Sequence, residues 1–230
     1  MQNLKVIFED NQIIVVEKPV NIPSQADKTG DIDMLTIIKA YLKEKYNKPG
    51  NVYLGLVHRL DRPVGGVMVF AKTSKSAGRL SNQVREKQFQ KTYLVIVNGK
   101  MKNQKGTLQD YLLKNEKTNM SKVVKEGTKN SKLAILDYEV LKYDEELNLS
   151  VLKINLHTGR HHQIRVQLSS RNHSIYGDQK YAGRGHGKQI ALWAYNLKFY
   201  HPISNELMEF EAMPEMIGSW AILKENCSIS

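Results

Sequence analysis

The stretch GLVHRLDRPVGGVMVFAK, Gly55 to Lys72, sets a histidine, two arginines and an aspartate into a largely apolar run. Its second half, GVMVFAK, is almost continuously apolar, which predicts a strand that is buried on both faces. The proline and the paired glycines before this strand predict a tight loop. A core strand has no use for the charges in the loop, and loops on rigid scaffolds often carry catalytic residues. The alternative is that Asp61 only ties down its own loop. The four side chains are His58, Arg59, Asp61 and Arg62.

The overall charge of the chain indicates a polyanionic partner. Lys and Arg total 34 against 23 for Asp and Glu, which gives a formal net charge of +11 and a pI near 9.5. Nucleic acid is the first expectation for such a chain and an anionic membrane surface the second, whereas a generally basic protein is the neutral interpretation. The length of 230 residues suits one domain spanning residues 1–230.

Cysteine content and apolar patterning bear on the compartment. The single cysteine, Cys227, excludes a disulfide within the chain and fits a reducing environment. No apolar stretch approaches the ~20 residues that a membrane-spanning helix needs, and the N-terminal segment lacks the features of a signal peptide. We therefore expect a cytoplasmic protein with no membrane partner.

Strand-like segments outnumber helical ones and follow no βαβ rhythm, which predicts an α+β fold on a mixed or mostly antiparallel sheet. The polar, basic region 101–132 is interpreted as an exposed hairpin or loop with weak strand signals. The predicted strands lie in LKVIFE, IIVVEKP, GVMVFAK, KTYLVIVNG, ALWAYNLKFYHP and the hairpin KLAILDYEVLKYDEELNLSVLKINL, whose tip is DEELN.

Four segments show helical features. Asp33 is placed to cap DMLTIIKAYLKEKY, and Thr73 or Ser74 to cap the following helix, TSKSAGRLSNQVREKQ. TGRHHQIRVQLSS opens a third helix, after which Asn172 can take the left-handed position usually given to glycine. PEMIGSWAILKEN predicts a closing helix.

A second cluster of chemistry-bearing residues lies in HTGRHHQIRV, residues 157–166. Arg165 stands between two apolar residues, so its guanidinium is expected to be buried and to need an anionic partner. Asp61, the lone carboxylate of its own apolar run, is the natural candidate. The histidines at 157, 161 and 162 raise a metal site as an alternative, but no carboxylate or cysteine stands nearby at ligand spacing. Phosphate contact by Arg160, His161 and His162 is the simpler interpretation.

Tyr93 interrupts a strand, KTYLVIVNGK, that otherwise needs only aliphatic side chains. It is either an ordinary core tyrosine or an aromatic face for stacking on a base, an interaction that contributes ~1–3 kcal/mol per base.

Taken together, these motifs resemble the RluA-type RNA pseudouridine synthases in both order and spacing. The similarity spans residues 13–202, and HRLD followed about a hundred residues later by TGR-HQIR is a specific pair. The matching segments are IIVVEKP, HRLDRPVGGVMVFAKT, KTYLVIVNG, TGRHHQIRVQL, YGDQKYAG and ALWAYNLKFYHP.

The resemblance implies a catalytic domain on a long bent sheet, with the active cleft across its middle. It implies isomerisation of uridine to pseudouridine in RNA, without metal or organic cofactor. The family's essential aspartate falls on Asp61, its arginine partner on Arg165 and its base-stacking tyrosine on Tyr93. The arginine that enters the RNA stack falls on Arg59. We group the remaining charged residues of the two motifs as RNA-binding: His58, Arg62, Arg160, His161 and His162.

The sequence also departs from the family pattern. Pro63, Val64 and Gly65 stand where aspartate, threonine and serine are usual, so this loop is expected to be stiffer. Asn172 and Ser174 replace a common glycine and proline. The S4 RNA-binding domain found in many family members is expected to be absent, and a monomer is the default. Ribosomal and transfer RNA are both possible substrates.

An ionised aspartate could act on uridine in three ways: attack at ribose C1′, addition to ring C6, or removal of the C2′ proton. A guanidinium beside Asp61 would keep it ionised by lowering its pKa. Two alternatives to an isomerase remain: a basic RNA-binding protein of the same fold without turnover, and a metal-dependent nuclease that uses the histidines.

Overall fold

The computed structural model describes residues 4–182, 187 and 189–224. Cys227, the final two residues of the predicted closing helix, and Gly183 of YGDQKYAG lie outside the described residues.

Eleven strands and three α-helices make up the regular structure of the described residues, followed by a 3₁₀ helix. The strands are β1 (Lys5–Glu9), β2 (Ile13–Lys18), β3 (Gly55–Leu56), β4 (Gly65–Ala71), β5 (Gln90–Asn98), β6 (Lys105–Asn115), β7 (Met120–Val124), β8 (Lys132–Asp144), β9 (Leu149–Leu156), β10 (Leu192–Tyr200) and β11 (Leu207–Glu211). The helices are α1 (Met34–Lys45), α2 (Ser74–Arg85), α3 (Gln163–Ser169) and the 3₁₀ helix Gly218–Lys224.

The chain divides into two compact units, and the first of them is discontinuous in sequence. The first unit contains the chain up to Gln90 together with Ala194–Met213, and the second contains Lys91–Trp193 and the chain from Pro214 onward.

In the first unit the strand order is β1, β2, β4 and β10, with β3 on β4 and β11 on β10. β1–β2, β2–β4, β3–β4 and β10–β11 are antiparallel pairs. Every residue of β4 is buried, as the unbroken apolar run predicts. One face of these strands packs into a core with α2 and β10, which contains Ile13, Val69, Leu80, Phe89 and Phe199.

The helices of the first unit begin where the sequence places them. Asp33 accepts hydrogen bonds from the N–H groups of Leu35 and Thr36 and so caps α1. Thr73 caps α2 by accepting from the N–H of Ser76. Both predicted caps are confirmed. They could be predicted from the sequence because capping depends only on residues within one helical turn.

The second unit is an antiparallel sheet in the order β5, β9, β8, β6, β7. The predicted hairpin of residues 101–132 is present as β6 and β7, and the hairpin tipped by DEELN as β8 and β9. The start of α3 is buried, and Val166 packs with Leu112 and Ala134 of this sheet.

The α+β class is confirmed, and three details differ from the predictions. The short β3 and the edge strand β11 were not predicted; β11 alternates only between exposed and half-buried positions, so its pattern is weak. The closing helix is a 3₁₀ helix that begins at Gly218, whose φ of 55° is left-handed and stops an α-helix from extending through it. Asn172 does adopt the left-handed conformation, with φ 63°.

Candidate active site

Asp61 lies on a turn that enters β4. The N–H of Val64 donates to the carbonyl of Asp61 at 2.9 Å and closes a turn through Arg62 and Pro63. On the other side, the buried hydroxyl of Ser24 donates to the carbonyl of Leu60 at 2.9 Å and accepts from its N–H at 3.2 Å. The backbone on both sides of the partly buried Asp61 is therefore held by hydrogen bonds.

A buried lysine supports the same turn. The Lys18 side chain is fully buried at the end of β2, and its ammonium donates to the carbonyls of Pro19, Ile22 and Arg62 at 2.9, 2.6 and 3.0 Å. Three carbonyls match the three N–H donors of a charged ammonium. Burial lowers the pKa of Lys18 to about 7, and the negative charge of Asp61 opposes this shift. Through these hydrogen bonds, Lys18 connects the segment of residues 19–22 to the turn that carries Asp61.

We expect Lys18→Met to change how stability depends on pH. From pH about 7 up to the ordinary lysine value of 10.5, the unfolded chain holds a proton that folded Lys18 has lost. Unfolding of the wild type therefore becomes harder as pH rises through this window, by up to about 1.4 kcal/mol per pH unit from this group. The methionine variant lacks this contribution, so the wild type gains stability relative to the variant between pH 7 and 10. Urea unfolding of both proteins across this range measures the difference in their free energies of unfolding. A difference that stays constant with pH would contradict the lowered pKa of Lys18.

Arg62 points its guanidinium toward the segment that follows β2. Nε donates to the carbonyl of Asn21 at 3.2 Å and Nη1 to the hydroxyl of Thr29 at 3.1 Å. Nη2 pairs with Asp31, and Asp27 lies 3.7 Å from Nη1. The pKa of Asp31 is lowered, mainly by this hydrogen bond from Arg62. Arg62 therefore ties the Asp61 turn to the 21–31 segment; its predicted contact with RNA stays a prediction.

His58 and Arg59 precede the turn and differ in their surroundings. Nε2 of His58 accepts the N–H of Val69 at 3.1 Å, and the ring lies edge-on to Phe89. Arg59 is exposed. The predicted roles of both residues in RNA binding stay predictions.

Arg165 is the centre of the second cluster, in the other unit. Its side chain is 5% exposed and forms a two-point ion pair with the fully buried Asp178: Nε donates to Oδ2 at 2.8 Å and Nη2 to Oδ1 at 2.7 Å. The expectation of a buried guanidinium with an anionic partner is confirmed for this carboxylate. Asp178 was missed, although it lies inside the quoted motif YGDQKYAG.

Tyr181 covers one face of this ion pair. Its ring centroid lies 5.2 Å from Cζ of Arg165, within the range of a cation–π contact. Its hydroxyl accepts the N–H of Ser121 at 2.7 Å and lies 2.9 Å from Nδ1 of His162. His162, left-handed with φ 53° at the start of α3, therefore uses its ring to hold Tyr181 rather than to cap the helix.

The other basic residues of the motif contact the sheet of the second unit. The exposed Arg160 donates from Nε to the carbonyl of Leu133 at 2.9 Å. Nδ1 of His161 lies 2.9 Å from the hydroxyl of Ser121, and its ring stacks on that of His162 at 3.8 Å. The predicted phosphate contacts of Arg160, His161 and His162 stay predictions.

Tyr93 lies in β5 opposite Ile154 of β9 and is 8% exposed. Its predicted stacking role, like the predicted approach of Arg165 to Asp61, stays a prediction.

A metal cluster and a membrane-spanning helix are both absent from the described residues. Among the described residues, no group of three or more His, Cys, Asp or Glu side chains could hold a metal ion. Over the same ranges, no helix has the length and apolar character needed to cross a membrane.

Comparison with known proteins places this chain in a family. The family model described as RNA pseudouridylate synthase matches residues 12–170. The chain is 34% identical over 221 residues to an uncharacterized RNA pseudouridine synthase of Aquifex aeolicus, covering 90% of this chain and 68% of that protein. It is 33% identical to the ribosomal large subunit pseudouridine synthase D of Neisseria meningitidis, covering 91% of this chain and 58% of that protein.

A solved structure supports the fold. The chain matches the human RNA pseudouridylate synthase domain containing 4 with a TM-score of 0.77 at 20% identity, over 92% of this chain and 89% of that one. This chain belongs to the RNA pseudouridine synthase family. It is an isomerase that converts uridine to pseudouridine in RNA.

Proposed function

We propose that Asp61 is the catalytic nucleophile or base of a cofactor-independent isomerase that acts on ribosomal or transfer RNA. The observation that carries the proposal is the position of Asp61. It is the one carboxylate of HRLD and lies in the region that the family model matches. The turn that holds it is anchored by Ser24, Lys18 and Arg62. Reacting groups need such placement, because a small displacement from the productive geometry lowers the rate strongly.

The reaction rearranges bonds within one nucleotide. The N1–C1′ bond of uridine breaks, the uracil turns, and a C5–C1′ bond forms; C5 then loses its proton to solvent, and N1 gains one. Nothing is oxidised or reduced, so the reaction needs no redox partner, and the proposal assigns it no metal or organic cofactor. Asp61 would act at C1′, C6 or C2′, and each of the three routes requires the ionised carboxylate.

Arg165, Tyr93 and Arg59 receive supporting roles in the proposal. Arg165 would pair with Asp61 at about 3–4 Å and keep it ionised. Tyr93 would stack on the target base. Arg59 would enter the RNA stack where the base has left, offsetting the few kcal/mol that unstacking costs. The exposed position of Arg59 is compatible with this role.

The positive charge supports RNA as substrate. Arg59 and Arg160 are exposed, and the β6–β7 region adds exposed lysines at positions 102, 117, 122, 125 and 129. We extend the proposal to a monomer in the cytoplasm, with phosphates contacted by the basic residues of both clusters.

RNA binding should weaken steeply with salt. Each phosphate neutralised contributes a slope of about −0.7 to a plot of log K against log salt for single strands. Because the chain carries a net charge of +11, we expect several such contacts. Filter binding of a structured RNA at graded KCl concentrations measures the slope. A slope near zero would show that the basic side chains do not form the binding surface.

Tritium release tests the reaction itself. RNA labelled with tritium at uridine C5 loses label to water when the C5–C1′ bond forms. The purified protein should release tritium from ribosomal or transfer RNA in the presence of EDTA. RNA bound tightly without release would favour the non-catalytic RNA-binding alternative, and strand cleavage that EDTA abolishes would favour the nuclease.

A further inference from the structure

The ion pair between Arg165 and Asp178 is more than a single contact. It uses two nitrogens of the guanidinium and both oxygens of the carboxylate, and both side chains are almost completely withdrawn from solvent. Parallel N–H···O bonds of this kind fix the plane of the guanidinium as well as its position.

Asp178 is itself held by the backbone. Its Oδ1 accepts the N–H groups of Lys180 and Tyr181 at 2.9 and 3.2 Å. The turn before it depends on Gly177, whose φ is +75° and where a β-carbon would lie 2.0 Å from the carbonyl oxygen of Gln189. The carboxylate is therefore presented to Arg165 from a backbone with little freedom to rearrange.

Tyr181 supplies the second restraint. Its ring lies against the guanidinium of Arg165, while its hydroxyl is anchored to Ser121 and His162 and its carbonyl accepts from the hydroxyl of Ser169. Asp178 fixes the edge of the guanidinium and Tyr181 fixes its face. An arginine that only joined α3 to the following loop would need the ion pair with Asp178 but not the ring of Tyr181.

We propose that Asp178 and Tyr181 are positioning residues for the isomerisation, which orient the guanidinium of Arg165 for its work on the reacting centre. This inference rests on the proposed role of Arg165. It predicts that losing either restraint slows turnover while RNA affinity stays near that of the wild type.

The test is a double-mutant cycle on tritium release. Asp178→Asn keeps the shape of the side chain but turns one hydrogen-bond acceptor toward the guanidinium into a donor. We expect kcat to fall about 10²-fold with KM changed less than about threefold, since misplacing a catalytic group has effects of this size. In the Arg165→Ala background, Asp178→Asn should cause no further loss, because the residue it orients is already gone.

A purely structural ion pair would behave differently. Asp178→Asn would then lower the melting temperature while kcat of the folded fraction stayed at the wild-type value, or its effect on kcat would be the same with and without Arg165. Either result overturns the inference. The matched control is Asp110→Asn, which breaks an ion pair with Arg171 just beyond the same helix; it should lower stability and leave kcat unchanged.

A second pair of variants covers the case in which Asp178→Asn does not fold. Tyr181→Leu removes the ring from the guanidinium, whereas Tyr181→Phe keeps it. We expect kcat to fall about tenfold more in the leucine variant, and equal values would overturn the inference. Failure of the proposed function gives a different result. If the wild-type protein releases no tritium, both the proposed function and the positioning roles are wrong. If Arg165→Ala keeps full activity, the proposed role of Arg165 is wrong.

Discussion

Asp61→Asn is expected to abolish tritium release while RNA binding survives. The amide has nearly the same shape as the carboxylate but can neither attack carbon nor take a proton. The loss should be about 10²–10⁴-fold for a general base, and larger for a covalent nucleophile. Single-turnover tritium release with excess enzyme measures the chemical step, and filter binding of the same RNA measures affinity.

A control variant separates the chemistry from the change in charge. Asp144→Asn also removes one negative charge, at the tip of the β8–β9 hairpin, where the carboxylate accepts the N–H of Leu147. It should release tritium at the wild-type rate. Asp61 stabilises the charged form of the buried Lys18, so its neutralisation removes a favourable interaction. Circular dichroism is therefore needed to show that Asp61→Asn is folded. A folded Asp61→Asn protein with more than about a tenth of wild-type turnover would refute the assignment of Asp61.

Gly66→Ala should be among the most destabilising single substitutions in the first unit. Gly66 follows the Asp61 turn at the start of β4, with φ of +123°, a conformation that L side chains rarely adopt. A β-carbon there would lie 2.1 Å from the carbonyl oxygen of Ala194 in β10. Because this obstacle is backbone, relief requires movement between β4 and β10. Strain and overpacking together predict a loss of about 3–5 kcal/mol, measured by urea unfolding.

The matched control for Gly66 is Gly78, in the same unit. It is exposed within α2, and a β-carbon there meets nothing within 4 Å. Gly78→Ala should therefore stabilise the protein by up to about 1 kcal/mol, because alanine is the better helix former. If both alanine variants unfolded at the same urea concentration, the close approach of β4 to β10 would be wrong.

The features that the sequence predicted are mainly local or periodic. The cap at Asp33 depends on a single helical turn, and the burial of β4 follows from an apolar run that needs no knowledge of its neighbours. The family motifs single out Asp61, Arg165 and Tyr93 by their order and spacing, and the roles of these residues stay predictions.

The features that the sequence did not reveal depend on tertiary contacts. Lys18 ends a strand just before a proline, a pattern that predicts an exposed lysine; its burial requires two separate loops to close over it. Asp178 lies only 13 positions from Arg165, yet their pairing depends on the turn after α3. A useful signal was present: Asp178 is the one carboxylate in the motif YGDQKYAG.

The discontinuity of the first unit has a consequence for synthesis on the ribosome. Leu197, Phe199 and Ala212 complete the core that Ile13 and Val69 begin, and β10 lies beside β4. When β1 to β4 have emerged, the part of the β4 edge that β3 does not cover, and part of its apolar face, have no neighbour until the chain reaches Ala194–Met213. At about 5–20 residues per second this interval lasts several seconds or more. The segment that carries Asp61 is therefore made early and packed late, and during that time the uncovered edge of β4 is available for pairing with another strand.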